Sequence, residues 1–260
     1  KVLVVGAGPG GCAAALMAEK AGHEVELWEK TSRIGGKALT ASRPYMKADM
    51  QELSEYYKVQ LAKSKVAVRT MCEAEKEKVK AYKPDVLIWA CGGKAVLPQS
   101  ITGIGKAKVY PAEKALENVA LIGENIVVAG GGLVGTETAI HFSRLGKHVT
   151  LIEMAEKILP VPPFPMNEIQ LRTMLEASDV EVLTSTKLTS VEEDGVVVEG
   201  SEGKKKIPCD TVLMALGYAS TTEEAEAYKD ICPVHTIGDS VKARNIMSAV
   251  EEAYEVVNNI

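Results

Sequence analysis

The chain carries the same pattern of strand, glycine-rich turn, helix and strand twice, at a constant separation of 124 positions. Residues 1–30 align without a gap with residues 125–154. The shared positions are turn glycines, a helix-ending glycine, two apolar strand residues and a closing glutamate: Gly6, Gly8, Gly11, Gly22, Val25, Leu27 and Glu29 in the first copy, and Gly130, Gly132, Gly135, Gly146, Val149, Leu151 and Glu153 in the second. A repeat of this length, aligned without a gap, is not expected by chance.

Each copy has the spacing of a Rossmann dinucleotide fingerprint, in which every glycine has its own role. The first permits a tight turn, the second lets the backbone approach a diphosphate, and the third lets the helix pack close to the strand. The first N–H groups of the helix that follows each turn favour negative charge. The closing glutamate reaches ribose hydroxyls. Two dinucleotide sites are predicted; the alternative is that one copy survives only as a packing turn.

Composition limits the function classes. At 260 residues and 46% hydrophobic, the chain can form two domains, and a net charge of −5 without a basic face argues against a nucleic-acid partner. No apolar run approaches the roughly 20 residues needed to cross a membrane. The scattered thiols form no CxxC pair or cluster, which argues against a dithiol or iron–sulfur centre and favours a reducing, cytoplasmic location. They are Cys12, Cys72, Cys91, Cys209 and Cys232.

The repeat extends beyond the fingerprints, since residues 85–92 and 210–217 are matching apolar strands that each end in glycine. The proline-rich residues 159–165 predict an irregular loop, and residues 188–199 a hairpin. A final strand into Gly238 and Asp239, followed by a helix over 241–258, has no counterpart in the first half. We therefore predict an α/β fold of two doubly wound parallel-sheet domains, one formed by residues 1–105 and 227–260 and the other, residues 106–226, inserted in it.

The motifs resemble those of the two-dinucleotide-binding flavoproteins. More closely, the chain is similar to the C-terminal half of 2,4-dienoyl-CoA reductase and enoate reductase, NADH:flavin oxidoreductases related to old yellow enzyme. The motifs that carry this resemblance are Ile34-Gly35-Gly36-Lys37, Tyr56-Tyr57, the second glycine turn with Glu137, and Ile237-Gly238-Asp239-Ser240 with Ile246-Met247. The resemblance implies FAD in the first domain and a nicotinamide dinucleotide in the inserted one. It also implies an N-terminal barrel with FMN and an iron–sulfur cluster, which this sequence lacks, so a fragment of a longer enzyme is expected.

The resemblance implies a set of FAD contacts at the turns and the late segment. They are Gly6, Gly8, Pro9, Gly11, Glu29, Lys30, Gly36, Lys37, Ala90, Cys91, Gly92, Gly238, Asp239, Ile246 and Met247. Cys91 stands where the family usually has threonine. The backbone N–H groups of Ile246 and Met247 would face the flavin pyrimidine, although core packing is an equal alternative for Met247.

The corresponding nicotinamide-nucleotide contacts lie in the second copy. They are Gly130, Gly132, Leu133, Val134, Gly135, Glu137, Glu153 and Gly217. Because a carboxylate at Glu153 would repel a 2′-phosphate and no arginine follows it, we expect NADH rather than NADPH, with Lys157 as the opposing observation. For Glu137, a contact with the nicotinamide end and a simple dipole-complementing role both stay open.

The leading hypothesis is an FAD-dependent, NADH-oxidising module that passes electrons to an FMN and iron–sulfur domain or subunit. No side chain is expected to be catalytic and no metal site is predicted, because the cofactors carry hydride chemistry. The runner-up is a structural domain that holds FAD or ADP without turnover. A flavin monooxygenase would reuse both folds with NADPH and oxygen, and Glu153 argues against it.

Overall fold

The computed structural model describes residues 1–161 and 163–260, so Pro162, in the middle of the predicted proline-rich loop, lies outside the described residues. The strands are β1 (Val2–Val5), β2 (Val25–Trp28), β3 (Ala67–Arg69), β4 (Val86–Trp89), β5 (Lys94–Ala95), β6 (Val109–Pro111), β7 (Asn125–Ala129), β8 (His148–Ile152), β9 (Glu181–Leu183), β10 (Lys187–Val191), β11 (Gly195–Gly200), β12 (Gly203–Pro208), β13 (Thr211–Met214), β14 (Tyr218–Ala219) and β15 (Val234–Thr236).

The helices alternate with these strands, as expected of an α/β fold. They are α1 (Pro9–Lys20), α2 (Lys37–Ala41), α3 (Gln51–Lys63), α4 (Lys76–Tyr82), α5 (Ala112–Glu117), α6 (Leu133–Arg144), α7 (Pro165–Glu176), α8 (Thr222–Glu226) and α9 (Ile246–Val257), with short 3-10 helices at Tyr45–Met50, Val119–Leu121 and Gly238–Ser240. No helix in the described part of the chain combines the length and apolar character needed to cross a lipid bilayer.

The chain divides into two compact units. Unit 1 comprises Lys1–Ser42, Lys47–Lys94 and Tyr218–Ile260, and unit 2 comprises Arg43–Met46 and Ala95–Gly217. The main changes between units fall after Lys94 and after Gly217, about ten residues before the boundaries expected after residues 105 and 226. Each follows shortly after the end of a strand of the parallel sheets, β4 or β13.

Unit 1 is built on a parallel sheet of order β15-β4-β1-β2-β3. The central strand β1 is buried along its whole length, which its continuous apolar sequence requires of a strand covered on both faces. The last strand, β15, pairs with β4, so the C-terminal segment completes this sheet. Helix α9 then packs on α1, where a Cβ at Gly10 would lie 3.3 Å from the Cβ of Ala249.

Unit 2 repeats this arrangement with a parallel sheet of order β6-β13-β7-β8-β9. It adds an antiparallel sheet of β10, β11 and β12. The β10–β11 hairpin matches the predicted one, whereas β12 was not predicted. Its three consecutive lysines hide the strand pattern, and they are exposed because the strand lies at a sheet edge.

The repeat is preserved in the structure at the level of single hydrogen bonds. Helices α1 and α6 have 12 residues each and begin and end 124 positions apart. The backbone N–H of Gly35 donates to Ala7 O (2.8 Å), and that of Leu159 donates to Gly131 O (2.7 Å). Both donors have left-handed backbone, with φ of 124° and 52°. The predicted fold class of parallel-sheet Rossmann-like domains is confirmed.

Two helix starts differ from the expected positions. Helix α9 begins at Ile246 rather than 241, because the Asn245 side chain accepts a hydrogen bond from the Ser248 N–H (2.8 Å) and so caps the helix. Helix α7 begins at Pro165, the last residue of the predicted irregular loop. Proline lacks only an N–H that has no partner in the first turn of a helix, so it is accommodated there.

We predict that the two units can be destabilised separately at equivalent core leucines. Leu27 and Leu151 are both fully buried, each in the core of its own unit. Substitution by alanine should cost about 2–5 kcal/mol in each case. Hydrogen exchange should accelerate in β1 and β2 for Leu27→Ala and in β7 and β8 for Leu151→Ala.

The exposed Leu121 supplies the control for this experiment. Leu121→Ala should leave both exchange patterns unchanged, since little apolar surface is uncovered. Equal acceleration in both sheets for either core variant would contradict the separation of the cores.

Candidate functional site

The first glycine turn is held by contacts between backbone atoms. A Cβ at Gly6 would lie 2.4 Å from Ala90 O, and a Cβ at Gly11 would lie 1.9 Å from Gly6 O. Both distances are far below van der Waals contact, so packing within the protein accounts for glycine at these positions. The turn thereby brings the ends of β1 and β4 to the start of α1.

Gly8, by contrast, faces open space. It has an ordinary φ of −75°, and a Cβ built there would meet nothing within 4 Å. Nothing in the protein therefore requires glycine here. Helix α1 starts directly after Gly8, has no side-chain cap, and has no acidic residue in its first turn. An open face at an uncapped helix start fits a diphosphate, which satisfies the free N–H groups and the helix dipole.

Glu29, the last residue of the first fingerprint, is buried and 8% exposed. Its Oε2 accepts from the Ala7 N–H (2.9 Å), inside the glycine turn, and its Oε1 accepts from the Thr31 N–H (2.8 Å). A carboxylate offers about four acceptor positions, so each oxygen retains a lone pair for a ribose hydroxyl. The carboxylate is thus oriented by the protein before any ligand binds, while the adjacent Lys30 is exposed.

The second glycine turn has the same geometry. A Cβ at Gly130 would lie 2.5 Å from Ala215 O, and one at Gly135 would lie 1.8 Å from Gly130 O. Gly132 again faces open space, with φ of −71°. Leu133 and Val134 begin α6 directly after it.

The glutamate of the second copy repeats both bonds of the first. Glu153 Oε2 accepts from the Gly131 N–H (2.6 Å), and Glu153 Oε1 accepts from the Ala155 N–H (2.8 Å). The second site therefore fits a dinucleotide on the same grounds as the first. Glu137 lies further along α6 and is buried, so its side chain belongs to the packed face of the helix.

The loop after β2 lies against the first glycine turn. A Cβ at Gly36 would lie 2.8 Å from the Cα of Gly8, which requires glycine at this close approach. Lys37 extends from the loop to the turn after β4. Its Nζ donates to Gly93 O (2.7 Å) and lies 3.2 Å from the ring centroid of Tyr218. The ammonium is thus held at that turn.

The turn after β4 contains three of the predicted residues. Ala90 N donates to Val5 O (2.8 Å), and the Cys91 thiol lies 3.7 Å from the same oxygen. Gly92 has a left-handed φ of 71° and open space at its Cβ position. Gly217 occupies the equivalent position after β13, also left-handed and open.

The late Gly-Asp segment lies beside this turn because β15 pairs with β4. Gly238 N donates to Glu252 Oε2 (2.6 Å), and Asp239 is half-buried, with its Oδ1 accepting from the Arg244 N–H (3.3 Å). Ile246 and Met247 are the first two residues of α9, so their N–H groups have no acceptor within the helix.

The Met247 side chain is 65% exposed. Core packing is therefore the wrong interpretation of this residue. The backbone role proposed for it depends on its position in the first turn of α9, which it has because the helix begins at Ile246 rather than at residue 241.

The structure places the two sets of candidate residues in different units. The FAD candidates lie in unit 1 at or after the carboxyl ends of β1, β2, β4 and β15. The nicotinamide candidates lie in unit 2 at or after the ends of β7, β8 and β13. In parallel sheets these ends share one edge, which is where such folds bind ligands.

Sequence reasoning missed two buried hydroxyls at the unit 1 edge, those of Thr221 and Ser240. Both donate to Gly92 O, at 2.8 and 3.3 Å. Ser240 belongs to the motif that carried the resemblance, so its position was a usable signal. Thr221 precedes a glutamate by three residues and therefore resembles an ordinary helix cap.

A family model described as pyridine nucleotide-disulphide oxidoreductase matches residues 1–239. The chain belongs to this family. Membership makes it an oxidoreductase domain that binds FAD and NAD(H), and the family resemblance predicted from the sequence is confirmed.

Individual relatives match the chain over nearly its whole length. It is 35% identical to a cinnamate reductase of Clostridium sporogenes, covering 100% of this chain and 39% of the relative. It is 32% identical to an NADH oxidase of Thermoanaerobacter brockii, covering 98% of this chain and 40% of the relative. A solved 2-naphthoyl-CoA reductase superposes with a TM-score of 0.94 at 32% identity, covering 100% of this chain and 40% of that one. The chain spans about two fifths of the length of these relatives.

The chemistry implied by the family name is not matched by the thiols of this chain. All five cysteines are free, and burial together with Glu29 raises the pKa of the Cys12 thiol to about 12. Such a thiol stays protonated and unreactive at neutral pH. Within residues 1–161 and 163–260, no group of three His, Cys, Asp or Glu side chains could hold a metal ion.

We predict that the two open-faced glycines separate binding of the two nucleotides. Gly8→Ala should weaken FAD binding at least about tenfold, because a methyl group would occupy the space that a diphosphate needs. Gly132→Ala should weaken NADH binding to a similar extent and leave the FAD affinity unchanged. Titration calorimetry or fluorescence measures both affinities, and the melting temperature of the apoprotein should stay constant.

Gly105 provides a matched control, because a Cβ there also meets nothing within 4 Å. Gly105→Ala should leave both affinities unchanged. Unaltered binding in both turn variants would show that the open faces receive no ligand.

Proposed function

We propose that this chain is an FAD-dependent, NADH-oxidising module that supplies electrons to another redox centre. The observation that carries the proposal is the pair of glycine turns. Each has one glycine that faces open space, at Gly8 and Gly132, and each has a glutamate already oriented by two backbone N–H groups.

FAD is assigned to unit 1 because, among the described residues, only that turn has a segment that returns to it late in the chain. Gly36 packs on Gly8, and the chain returns to add Asp239 and α9, whereas the open Gly92 has its counterpart at Gly217 of unit 2. The unit 2 turn has no returning segment of this kind in the described residues. A cofactor that stays bound suits the unit 1 site, which has more surrounding segments. NADH, which must bind and leave in each turnover, suits the unit 2 site, which has fewer.

The side chains at both turns bind and orient rather than react. FAD, when bound, supplies the two-electron acceptor for nicotinamide chemistry. Glu29 and Glu153 would hold the riboses, and the glycine turns would hold the diphosphates. The N–H groups of Ile246 and Met247, at the positive end of the α9 dipole, would favour negative charge on a flavin pyrimidine.

The electron acceptor is proposed to be an FMN and iron–sulfur domain or subunit that reduces an unsaturated substrate. This follows from the family resemblance and from the share of the relatives that the chain leaves uncovered, about three fifths. The names of two relatives, cinnamate reductase and 2-naphthoyl-CoA reductase, describe enzymes that act on conjugated carboxyl compounds.

The proposal predicts that the protein reconstituted with FAD is yellow and loses its visible flavin absorption when NADH is added without oxygen. A protein that cannot be loaded with FAD would refute it. FAD binding without bleaching, and without an NADH-dependent rise in melting temperature, would instead favour the runner-up, a structural domain that holds FAD or ADP.

A preference for NADH is proposed from the position of Glu153. Its carboxylate lies at the end of β8, and Met154, Ala155 and Glu156 follow without an arginine. A 2′-phosphate at this position would meet a carboxylate of like charge.

We predict that Glu153→Gln lowers the ratio of kcat/KM for NADH to that for NADPH by about tenfold. Glutamine removes the charge that would repel a 2′-phosphate, and it keeps an acceptor oxygen for the ribose. FAD content should not change, and Glu29→Gln should show the opposite pattern, with weaker FAD retention and an unchanged nucleotide ratio. An unmodified protein that prefers NADPH would overturn the assignment and favour the monooxygenase alternative.

A further inference from the structure

Residues 92–94, which follow β4, are each bound by a side chain from another part of unit 1. The Thr221 hydroxyl donates to Gly92 O (2.8 Å), and Lys37 Nζ donates to Gly93 O (2.7 Å). The next residue, Lys94, pairs through its Nζ with a glutamate carboxylate 2.6 Å away. A turn that only connected a strand to the next element would not need three separate restraints.

Two of these restraints come from a pair of residues that ordinarily has another use. Thr221 is the N-cap residue of α8, and Glu224 stands three positions later, as in a capping box. The Thr221 side chain makes no capping hydrogen bond, and Glu224 is the partner of Lys94. Both side chains are therefore diverted from the helix start to residues 92–94.

Thr221 also connects this turn to the late Gly-Asp segment. Its side chain is buried, its residue is 3% exposed, and its Oγ1 accepts from Trp89 Nε1 (3.2 Å). The Ser240 hydroxyl is a second donor to Gly92 O (3.3 Å), and Thr221 N donates to Ser240 O (3.0 Å). The two turns that contain FAD candidates are thus joined through one threonine.

The orientation of the Gly92–Gly93 peptide follows from these bonds. In a trans peptide the carbonyl and the following N–H point in opposite directions. With its oxygen fixed on two hydroxyls, the peptide directs the Gly93 N–H away from them. Because Gly92 has a left-handed φ, the peptide that follows it does not belong to a regular strand. The two hydroxyls therefore supply the hydrogen bonds that a neighbouring strand would otherwise make.

This orientation has an electrostatic consequence. The diphosphate and flavin carbonyl oxygens of FAD are acceptors, so an exposed peptide carbonyl at the turn would repel any of them that lay beside it. Binding the carbonyl inside unit 1 removes that repulsion.

We propose that Thr221 is a positioning residue for FAD binding, acting by holding the Gly92 carbonyl inside unit 1 and joining the turns after β4 and β15. The inference rests on the proposed function, because it concerns the same FAD site. It adds a residue outside both glycine fingerprints on which the affinity depends.

The experiment compares FAD affinity, measured by flavin fluorescence on the full chain, with the melting temperature of the apoprotein. Thr221→Val removes the hydroxyl while keeping the shape, and should weaken FAD binding about tenfold, which is the effect of losing about 1.4 kcal/mol. Thr221→Ser keeps the hydroxyl and should bind within about twofold of the unmodified protein. The absorption bands of bound flavin should shift in Thr221→Val and not in Thr221→Ser.

A matched control comes from unit 2, where Thr211 is equally buried and its hydroxyl accepts from the Gly123 N–H (3.0 Å). Thr211→Val should lower the melting temperature and leave the FAD affinity unchanged. Equal FAD affinities for Thr221→Val and the unmodified protein would overturn the positioning role alone. An unmodified protein without FAD affinity would overturn the proposed function, and this role with it.

If Thr221→Val does not fold, Ser240→Ala tests the same carbonyl from the other side. It should weaken FAD binding about threefold, since the longer bond is the weaker one. An unchanged affinity in Ser240→Ala would overturn the role of the hydroxyl pair.

Discussion

The structure depends on a hydrogen bond between the carboxylate that ends a second strand and a backbone N–H inside the preceding glycine turn. Glu29 makes it with Ala7 and Glu153 makes it with Gly131. Each bond fixes the end of one strand against the turn of its neighbour, and it sets the direction of the carboxylate. The residue that would bind the ligand is therefore also the residue that shapes the turn, so the site is formed as the sheet forms.

The glycines of each turn divide into two kinds on physical grounds. The first and last glycines of each motif are required, because a Cβ there would lie only about 2 Å, or little more, from a backbone oxygen. The middle glycine meets nothing in the protein and has an ordinary backbone conformation. Contacts within the protein do not account for this glycine, whereas a diphosphate that approaches the backbone at the start of a helix would.

Most of the fold could be predicted from the sequence because the repeat is encoded by apolar runs and glycines at fixed spacing. Those signals specify β1, α1 and β2 and their copies directly. The edge strand β12 could not be predicted, since its exposed lysines follow no alternating pattern. The start of α9 depends on one asparagine cap, which the apolar pattern of the helix does not reveal.

The candidate site was less completely predictable. Residues of the glycine turns could be identified because their chemistry is local in sequence. Thr221 could not be, because its contacts reach Gly92 from 129 positions away and its local context indicates a helix cap. The position of the Lys37 ammonium on Gly93 O also depends on a distant backbone atom, and spacing alone cannot specify such a contact.

Leu159 shows that the fold can impose a backbone conformation that the residue itself disfavours. It occupies the position of Gly35 in the repeat, makes the equivalent hydrogen bond, and adopts left-handed backbone although it is a leucine. That conformation costs about 1–2 kcal/mol, whereas burying a leucine side chain contributes about 1.5–3 kcal/mol. Its side chain is fully buried. The two halves have therefore diverged in how they stabilise the same bend, one through the freedom of glycine and the other through core packing.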